Sequence, residues 1–224
     1  FHLAKKLANQ KYNITIADNL FRGKIDMELK NLMSNKNISF IKCDLTKIKE
    51  LRKLGDDYDY VYHLASINGT KYFYEIPNIV LKVNIICAIN ILDWFLNNKN
   101  KDKKIIFSSS SETYAGTMRQ YGVEIPTNED VPLTIEDIKN PRWSYGGSKI
   151  VGELLFTNYA KKNNFRMNIV RYHNIYGERM GFEHVIPQFC LKILNRESPF
   201  NIFGESETRA FCYISDAVKA TQMV

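Results

Sequence analysis

Lys104-Ile105-Ile106-Phe107-Ser108-Ser109-Ser110-Ser111-Glu112 and, further on, Tyr145-Gly146-Gly147-Ser148-Lys149 are the two stretches on which the reading of this chain turns. The first begins as a short apolar run, as a buried strand does, and ends in hydroxyls and one acid. The second opens a helical stretch that continues through Ile150-Val151-Gly152-Glu153-Leu154-Leu155-Phe156. Tyr145 and Lys149 are four residues apart, so on a helix they share one face, about 6 Å apart along the axis. An ammonium beside a phenol favours the phenolate. Bringing a tyrosine from near 10 to roughly 7 takes about 4 kcal/mol and makes it a general base at neutral pH. Ordinary surface neighbours show the same spacing, so the weight of the pair depends on what surrounds it.

Outward from these stretches the chain alternates. Ile14-Thr15-Ile16-Ala17, Ile38-Ser39-Phe40-Ile41, Tyr60-Val61-Tyr62-His63-Leu64 and Asn168-Ile169-Val170-Arg171 read as further short buried strands. Helical patterns fall at 1–10, 46–54, 77–97, 145–163 and 184–196. In the third of these, Val80, Val83, Ile86, Ile89, Leu92 and Leu96 recur at steps of three and four. Strand and helix in alternation predict an α/β fold with a doubly wound parallel sheet and a ligand at the carboxyl ends of the strands. The polar segment 114–144 is expected to loop over that site. Residues 1–8 read as helix with no strand or cap ahead of them, and Asp216 to Val224 reads as a helix still in progress. The chain is therefore expected to be a fragment, with a first strand and a Gly-rich phosphate loop lying upstream.

Bulk properties narrow the partners. At 224 residues, 45% hydrophobic and 25% charged, the chain can build one substantial core. Lys, Asn and Asp interrupt the apolar stretches short of the roughly 18 residues that a membrane span needs, so no membrane partner is expected. The charge of +7 is spread over short pairs such as Lys5-Lys6, Lys103-Lys104 and Lys161-Lys162, the pattern of a solvated surface and not of a nucleic-acid stripe. Cys43, Cys87, Cys190 and Cys212 are far apart, which argues against a disulfide framework or a metal site and for a reducing, cytoplasmic setting.

Taken in order, the motifs resemble the extended short-chain dehydrogenase/reductase family, in particular its NAD-dependent nucleotide-sugar epimerases and dehydratases. They are Asp18-Asn19-Leu20, Cys43-Asp44-Leu45, His63-Leu64-Ala65-Ser66, Asn84, the serine run with Glu112, Tyr145 with Lys149, Arg171-Tyr172-His173-Asn174-Ile175-Tyr176-Gly177, and Gly204 through Asp216. The resemblance implies a Rossmann-like NAD-binding domain over 1–170, incomplete at its start, and part of a substrate-binding region over 171–224. Asp18, just after a strand, can accept hydrogen bonds from ribose hydroxyls and disfavours the extra phosphate of NADP; a turn or helix-cap aspartate looks the same. By resemblance Asn19, Asp44, Leu45, Leu64, Ala65, Ser66, Asn84, Ser108 and Tyr172 also belong to the cofactor's surroundings. Ser110 matches the hydroxyl that bonds the sugar, Tyr145 the base, and Lys149 the residue that holds the ribose.

Glu112 discriminates among relatives. Dehydratases usually place an Asp-Glu pair after the hydroxyl residue, supplying acid and base, whereas Ser111 stands here in the aspartate's place. Glu112 reads either as a catalytic carboxylate or as a structural one bonding a backbone amide or a loop. Ser111, Asn174, His184, Val185 and Arg209 match substrate-binding positions, His184 and Val185 at a helix start and Arg209 as a phosphate-binding guanidinium. His184 reads equally as a cap or core residue. Ala210 departs from the family pattern, which has an aspartate there. The expected function is NAD-dependent epimerisation of a nucleoside-diphosphate sugar through transient oxidation, at C4 most often, to a ketone. Decarboxylation, 4,6-dehydration, net C4 dehydrogenation, and a non-catalytic sugar-nucleotide or dinucleotide binding role are the alternatives. The resemblance also implies a homodimer joined through the helices near 77–97 and 145–163.

Overall fold

The computed structural model describes residues 1–202, 204 and 208–224. In chain order the elements are α1 (His2–Asn9), β1 (Ile14–Asp18), α2 (Met27–Met33), β2 (Ile38–Lys42), α3 (Ile48–Leu51), β3 (Tyr60–His63), α4 (Thr70–Glu75), α5 (Pro77–Leu96), β4 (Lys104–Ser110), α6 (Ala115–Tyr121), α7 (Trp143–Asn163), β5 (Arg166–Tyr172), β6 (Asn174–Tyr176), α8 (Val185–Leu194), β7 (Phe211–Tyr213) and α9 (Ile214–Met223). Short 3₁₀ turns follow α3 and β4. The expected strands and long helices are all present. α2 and α4, too short to carry a clear period, are additional, as are the three-residue strands β6 and β7.

β1 pairs with β2 in parallel, and β3, β4 and β5 form a second ladder in that order. The register Tyr60↔Lys104 to His63↔Phe107 starts β3 and β4 together and lets β4 run on past β3 to Ser110. As a result Asp18, Asp44, residues 64–66 and Ser108–Glu112 all fall at the carboxyl ends of their strands or just beyond. That is where a parallel sheet presents its loops to a ligand. The fold class read from the sequence is the one observed.

The core explains the order. Cys43, Leu51, Leu92, Phe95, Ile105, Phe107 and Phe156 are buried together, drawn from β2's end, α3, α5, β4 and α7. α7 meets β4 closely because position 152 is glycine: a Cβ there would lie 2.3 Å from Phe107 Cζ. Phe107 stacks in turn on Phe156, with centroids 4.4 Å apart.

Two expectations are corrected. α5 carries only Lys82 and Asp93 as charges in 20 residues, so by length and composition it could cross a membrane. Its Val80, Asn84, Cys87, Ala88, Ile91, Leu92 and Phe95 are instead buried within the first unit, as in a core helix. The segment 114–144 is not all loop, for it contains α6. Thr117 bonds the carbonyl of Pro132, and Arg119 pairs with Glu136 at 3.2 Å, fastening the segment to itself.

The chain divides into two units, Phe1–Arg171 with Val224, and Tyr172–Met223. In the second, β6 and β7 pair in parallel with Asn174 opposite Phe211. All four cysteines are free thiols, Cys43 and Cys87 buried and Cys190 exposed.

Candidate active site

β4 ends in three buried serines, and each has its own partner. Ser108 Oγ donates to the carbonyl of His63 at 2.9 Å, tying β4 to β3. Ser109 Oγ donates to Glu153 at 2.5 Å. Ser110 Oγ accepts from the backbone N–H of Glu112 at 3.2 Å, capping the 3₁₀ turn that Ser111 begins, and its hydroxyl is near enough to the phenol of Tyr145 to favour its ionised form. Among the serines, Ser110 is therefore the one that acts on the tyrosine.

Tyr145 and Lys149 lie in the first turns of α7, both buried. Lys149 Nζ donates to the carbonyl of Ser108 at 2.7 Å and stands 5.5 Å from the centroid of the Tyr145 ring. Burial pulls this amine down to a pKa of about 8. Burial also dominates at Tyr145 and raises the phenol above its ordinary value; Ser110's hydroxyl opposes this, Glu112's charge adds to it, and Arg22's charge opposes it. The acidification expected from Lys149 is absent from this geometry, because the desolvated ammonium is directed at a backbone carbonyl. Phe73 of α4 stacks on the phenol, with centroids 4.8 Å apart, and dries that face. Below them His63, buried between Phe107 and Phe156, is kept neutral, its pKa lowered to about 3 by burial and then by Lys149.

The residues expected near the cofactor are placed as follows. Asp18 closes β1 and accepts from the Leu20 amide at 2.6 Å, while Asn19 accepts from Phe21 at 3.0 Å, so both shape a tight turn. Asp44 Oδ1 accepts from Thr46 N and Oγ1 at 3.0 and 2.7 Å; burial raises its pKa, but these bonds outweigh that and the net shift is downward. The carbonyl of buried Leu45 receives Asn90 at 2.8 Å. Leu64 and Ala65 are exposed beyond β3, whereas Ser66 Oγ is buried without a hydrogen-bond partner among the described residues. Asn84 spends its amide on the N–H and C=O of Ile67 at 2.8 and 3.3 Å and on Ser148 at 3.1 Å. It thereby fixes the loop after β3 against α7.

In the second unit Tyr172 shares a 2.6 Å hydrogen bond with Thr221. Asn174 donates to the carbonyl of Ala210 at 3.0 Å, so the position that departs from the family pattern takes part through its backbone. His184 is the N-cap residue of α8 without a side-chain cap bond, and Val185 opens the helix, exposed. Arg209 is exposed, with one N–H on the carbonyl of Thr208. Of the motif running from Gly204 to Asp216, positions 205–207 lie outside the described residues.

Two ion pairs escaped the sequence reading. Arg142 grips both oxygens of Glu112, at 2.8 and 3.0 Å. Arg171 grips both oxygens of Glu153, at 2.9 and 2.7 Å, and adds bonds to Tyr114 Oη and the carbonyl of Glu129 at 2.7 and 2.8 Å. Glu153 stands four residues after Lys149, on the same helix face, which is the signal that could have found it. Arg142, 30 residues from its partner, left no local signal.

Lys149 has three N–H donors, of which one is accounted for by Ser108, and Ser66 offers an unsatisfied buried hydroxyl. Both suit the hydroxyls and amide of a nicotinamide nucleotide, and the carboxylate of Asp18 at the end of β1 suits a ribose. The residues present fit NAD.

A parallel α/β sheet with a serine, a tyrosine and a lysine converging at the carboxyl end of β4 defines the short-chain dehydrogenase/reductase class of fold and site. Within it the chain belongs to the NAD dependent epimerase/dehydratase family, whose model matches residues 1–224. It is 34% identical to the UDP-N-acetyl-alpha-D-glucosaminuronate decarboxylase of Bacillus cytotoxicus, covering 98% of this chain and 65% of that protein. It is 32% identical to a putative UDP-glucose 4-epimerase of Methanocaldococcus jannaschii, covering 99% and 68%. Among solved structures it is similar to a UDP-N-acetylglucosamine 4-epimerase of Methanobrevibacter ruminantium in complex with UDP-N-acetylmuramic acid, with a TM-score of 0.82, 30% identity, and coverage of 99% and 67%. It is also similar to a variant of the UDP-glucuronic acid 4-epimerase of Bacillus cereus solved with NAD, with a TM-score of 0.81, 28% identity, and coverage of 99% and 68%. The chain thus spans about two thirds of the length of these relatives.

Proposed function

We propose that the full-length protein is an NAD-dependent enzyme that oxidises the C4 hydroxyl of a UDP-sugar to a transient ketone and returns hydride to the other face, a 4-epimerase. The observation that carries this is the convergence of Tyr145 and the buried amine of Lys149, 5.5 Å from its ring centroid, on the serines that end β4. When bound, NAD would supply the hydride acceptor, and its cationic ring would favour the phenolate. Ser110 orients the reacting hydroxyl, Tyr145 takes its proton, and Lys149 holds the ribose of the cofactor. Phe73 and the stack under Lys149 exclude water, so that each of these charges acts in a low dielectric. UDP is the nucleotide named in the relatives and neighbours described above. A homodimer fits the apolar residues that α5 leaves exposed, among them Ile79, Leu81 and Leu96. A cytoplasmic location fits the four free thiols.

A second reading, oxidative decarboxylation, is favoured by the identity to decarboxylases acting on UDP-uronic acids. The same C4 ketone would make the C6 carboxylate of a uronic acid a β-keto acid, which loses carbon dioxide. Elimination of water is disfavoured because the one carboxylate following Ser110 is held by an arginine. Incubating the full-length enzyme with a panel of UDP-sugars and weighing the products separates the readings. Unchanged mass supports the epimerase, and loss of carbon dioxide the decarboxylase. Loss of water overturns both, and accumulation of NADH marks a dehydrogenase. Tyr145→Phe is expected to retain NAD while losing turnover by orders of magnitude; unaltered turnover would refute the assignment of the base, and no turnover in the unmodified protein on any UDP-sugar of the panel would leave a binding role.

A further inference from the structure

The fork between Arg142 and Glu112 is unused by the steps above, yet it adjoins them. Glu112 follows Ser110 on the 3₁₀ turn and donates its backbone N–H to that serine's hydroxyl. Arg142 is three residues before Tyr145, its own N–H held by Asn140 Oδ1 at 3.0 Å. The pair thus staples the turn carrying the serine to the start of the helix carrying the tyrosine. Bidentate guanidinium–carboxylate pairs fix geometry as well as charge. With both oxygens in the fork, Glu112 can gain a proton only by giving up a charge-assisted bond, which is unsuited to a group that must cycle between acid and base.

We propose that Arg142 is a positioning residue: its fork holds the Glu112 carboxylate beside the turn of Ser110 and the start of the helix of Tyr145, where it acts on the phenol as a partly neutralised charge and exchanges no proton with the sugar. This rests on the reading of Tyr145 as the base. The charges facing the phenol are Glu112 from the turn, Arg22 from the loop after β1 and Lys149 from its own helix, with the Ser110 hydroxyl near it. Tyr74 and Glu136 face Arg142 itself. Since Glu112 alone among the partners of the phenol adds negative charge, the two ends of the fork must have opposite effects. Removing the carboxylate leaves an unpaired guanidinium and makes the phenol easier to ionise; removing the guanidinium leaves an unscreened carboxylate and makes it harder.

The test uses the full-length protein as Arg142→Met, Glu112→Gln, the double variant and Arg142→Lys. The ionisation of Tyr145 is followed by near-ultraviolet phenolate absorbance after subtracting the same titration of Tyr145→Phe, a readout that needs no substrate. Arg142→Met should shift the titration up and Glu112→Gln down, each by about half a pH unit or more. The double variant should return close to the unmodified protein, and the acid limb of the pH–rate profile should move in step. If Arg142→Met does not fold, Arg142→Lys, which keeps the charge but not the fork, should titrate near the unmodified protein, and the downward shift in Glu112→Gln decides. Shifts of the same sign, no shift, or a loss of turnover by orders of magnitude in Glu112→Gln with the phenol unmoved would overturn the proposal; the last would make Glu112 a proton donor or acceptor. Full turnover in Tyr145→Phe would instead sink the assignment of the base, while the phenol titrations would still report on the fork.

Discussion

Gly152→Ala tests the packing that seats α7, the helix of Tyr145 and Lys149. A methyl at this position would sit 2.3 Å from Phe107 Cζ, with the two Cε atoms at 2.9 and 3.2 Å. Ordinary carbon contacts begin near 3.5 Å, so the ring or the helix must give by roughly an ångström. The ring cannot swing freely: Phe107 is buried, stacked on Phe156 and near His63. Overpacking of this kind costs about 1–3 kcal/mol, set against a gain of up to about 1 kcal/mol for replacing glycine inside a helix. The net expectation is a loss of about 1–2 kcal/mol, or roughly 2–8 °C in the melting midpoint at this chain length. Gly147→Ala on the same helix is the control, because its added methyl meets only Ile135 Cδ1 at 3.5 Å, an ordinary contact. Urea denaturation should show the midpoint falling for Gly152→Ala at unchanged slope, and holding or rising for Gly147→Ala. A Gly152→Ala protein as stable as Gly147→Ala would refute the claim that β4 and α7 are in their closest permitted contact.

Glu153→Ala should lower stability by about 3 kcal/mol or more in denaturant titrations, because it strands the Arg171 guanidinium and the Ser109 hydroxyl in a mostly buried setting. Asn84→Ala should cost about 1–3 kcal/mol by leaving the Ile67 N–H unsatisfied, and limited proteolysis should then cut the loop between β3 and α4 sooner than in the unmodified protein. Lys149 has a pKa of about 8 in the folded protein against 10.5 as reference. Between those values the unfolded chain binds the extra proton, so this group's contribution to stability rises with pH from about 8 to about 10.5 and is at its least favourable below 8. Lys149→Met should remove that rise, read as the difference in unfolding free energy between the two proteins across that interval.

What the sequence made legible was whatever repeats at short range. Tyr145 and Lys149 are one helical turn apart, and alternating apolar runs placed all five principal strands, so the converging ends of β1 to β4 could be anticipated. The partners that organise the site come from farther off. Ser109 meets Glu153 across 44 residues, and Glu112 meets Arg142 across 30. The step of four from Lys149 marks Glu153's helix face without naming the serine it meets, and no spacing points to Arg142; both pairings arise because α7 packs along the end of β4. The same limit explains the state of the phenol. Spacing put an ammonium near it, but only the fold reveals that the ammonium is turned toward the Ser108 carbonyl and that both groups are dry. α5 shows a different limit: its length and composition suit a membrane span, which the reading of interrupted apolar runs sets aside, and only the fold shows Val80, Ile91, Leu92 and Phe95 buried.

Four consecutive identical letters look like the most expendable part of a protein, the kind of tract that copying errors lengthen or shorten by one. In Ser108-Ser109-Ser110-Ser111 each copy holds a different post: the first clasps the neighbouring strand and caps the lysine, the second anchors an acid on the helix, the third greets the tyrosine, and the fourth starts the turn. Inserting or deleting a single serine would leave the composition of the tract almost untouched, yet each serine beyond the change would move to its neighbour's post, on the opposite face of the strand. Point changes within the tract are therefore expected to be graded in their effects, whereas changes in its length should be all-or-none.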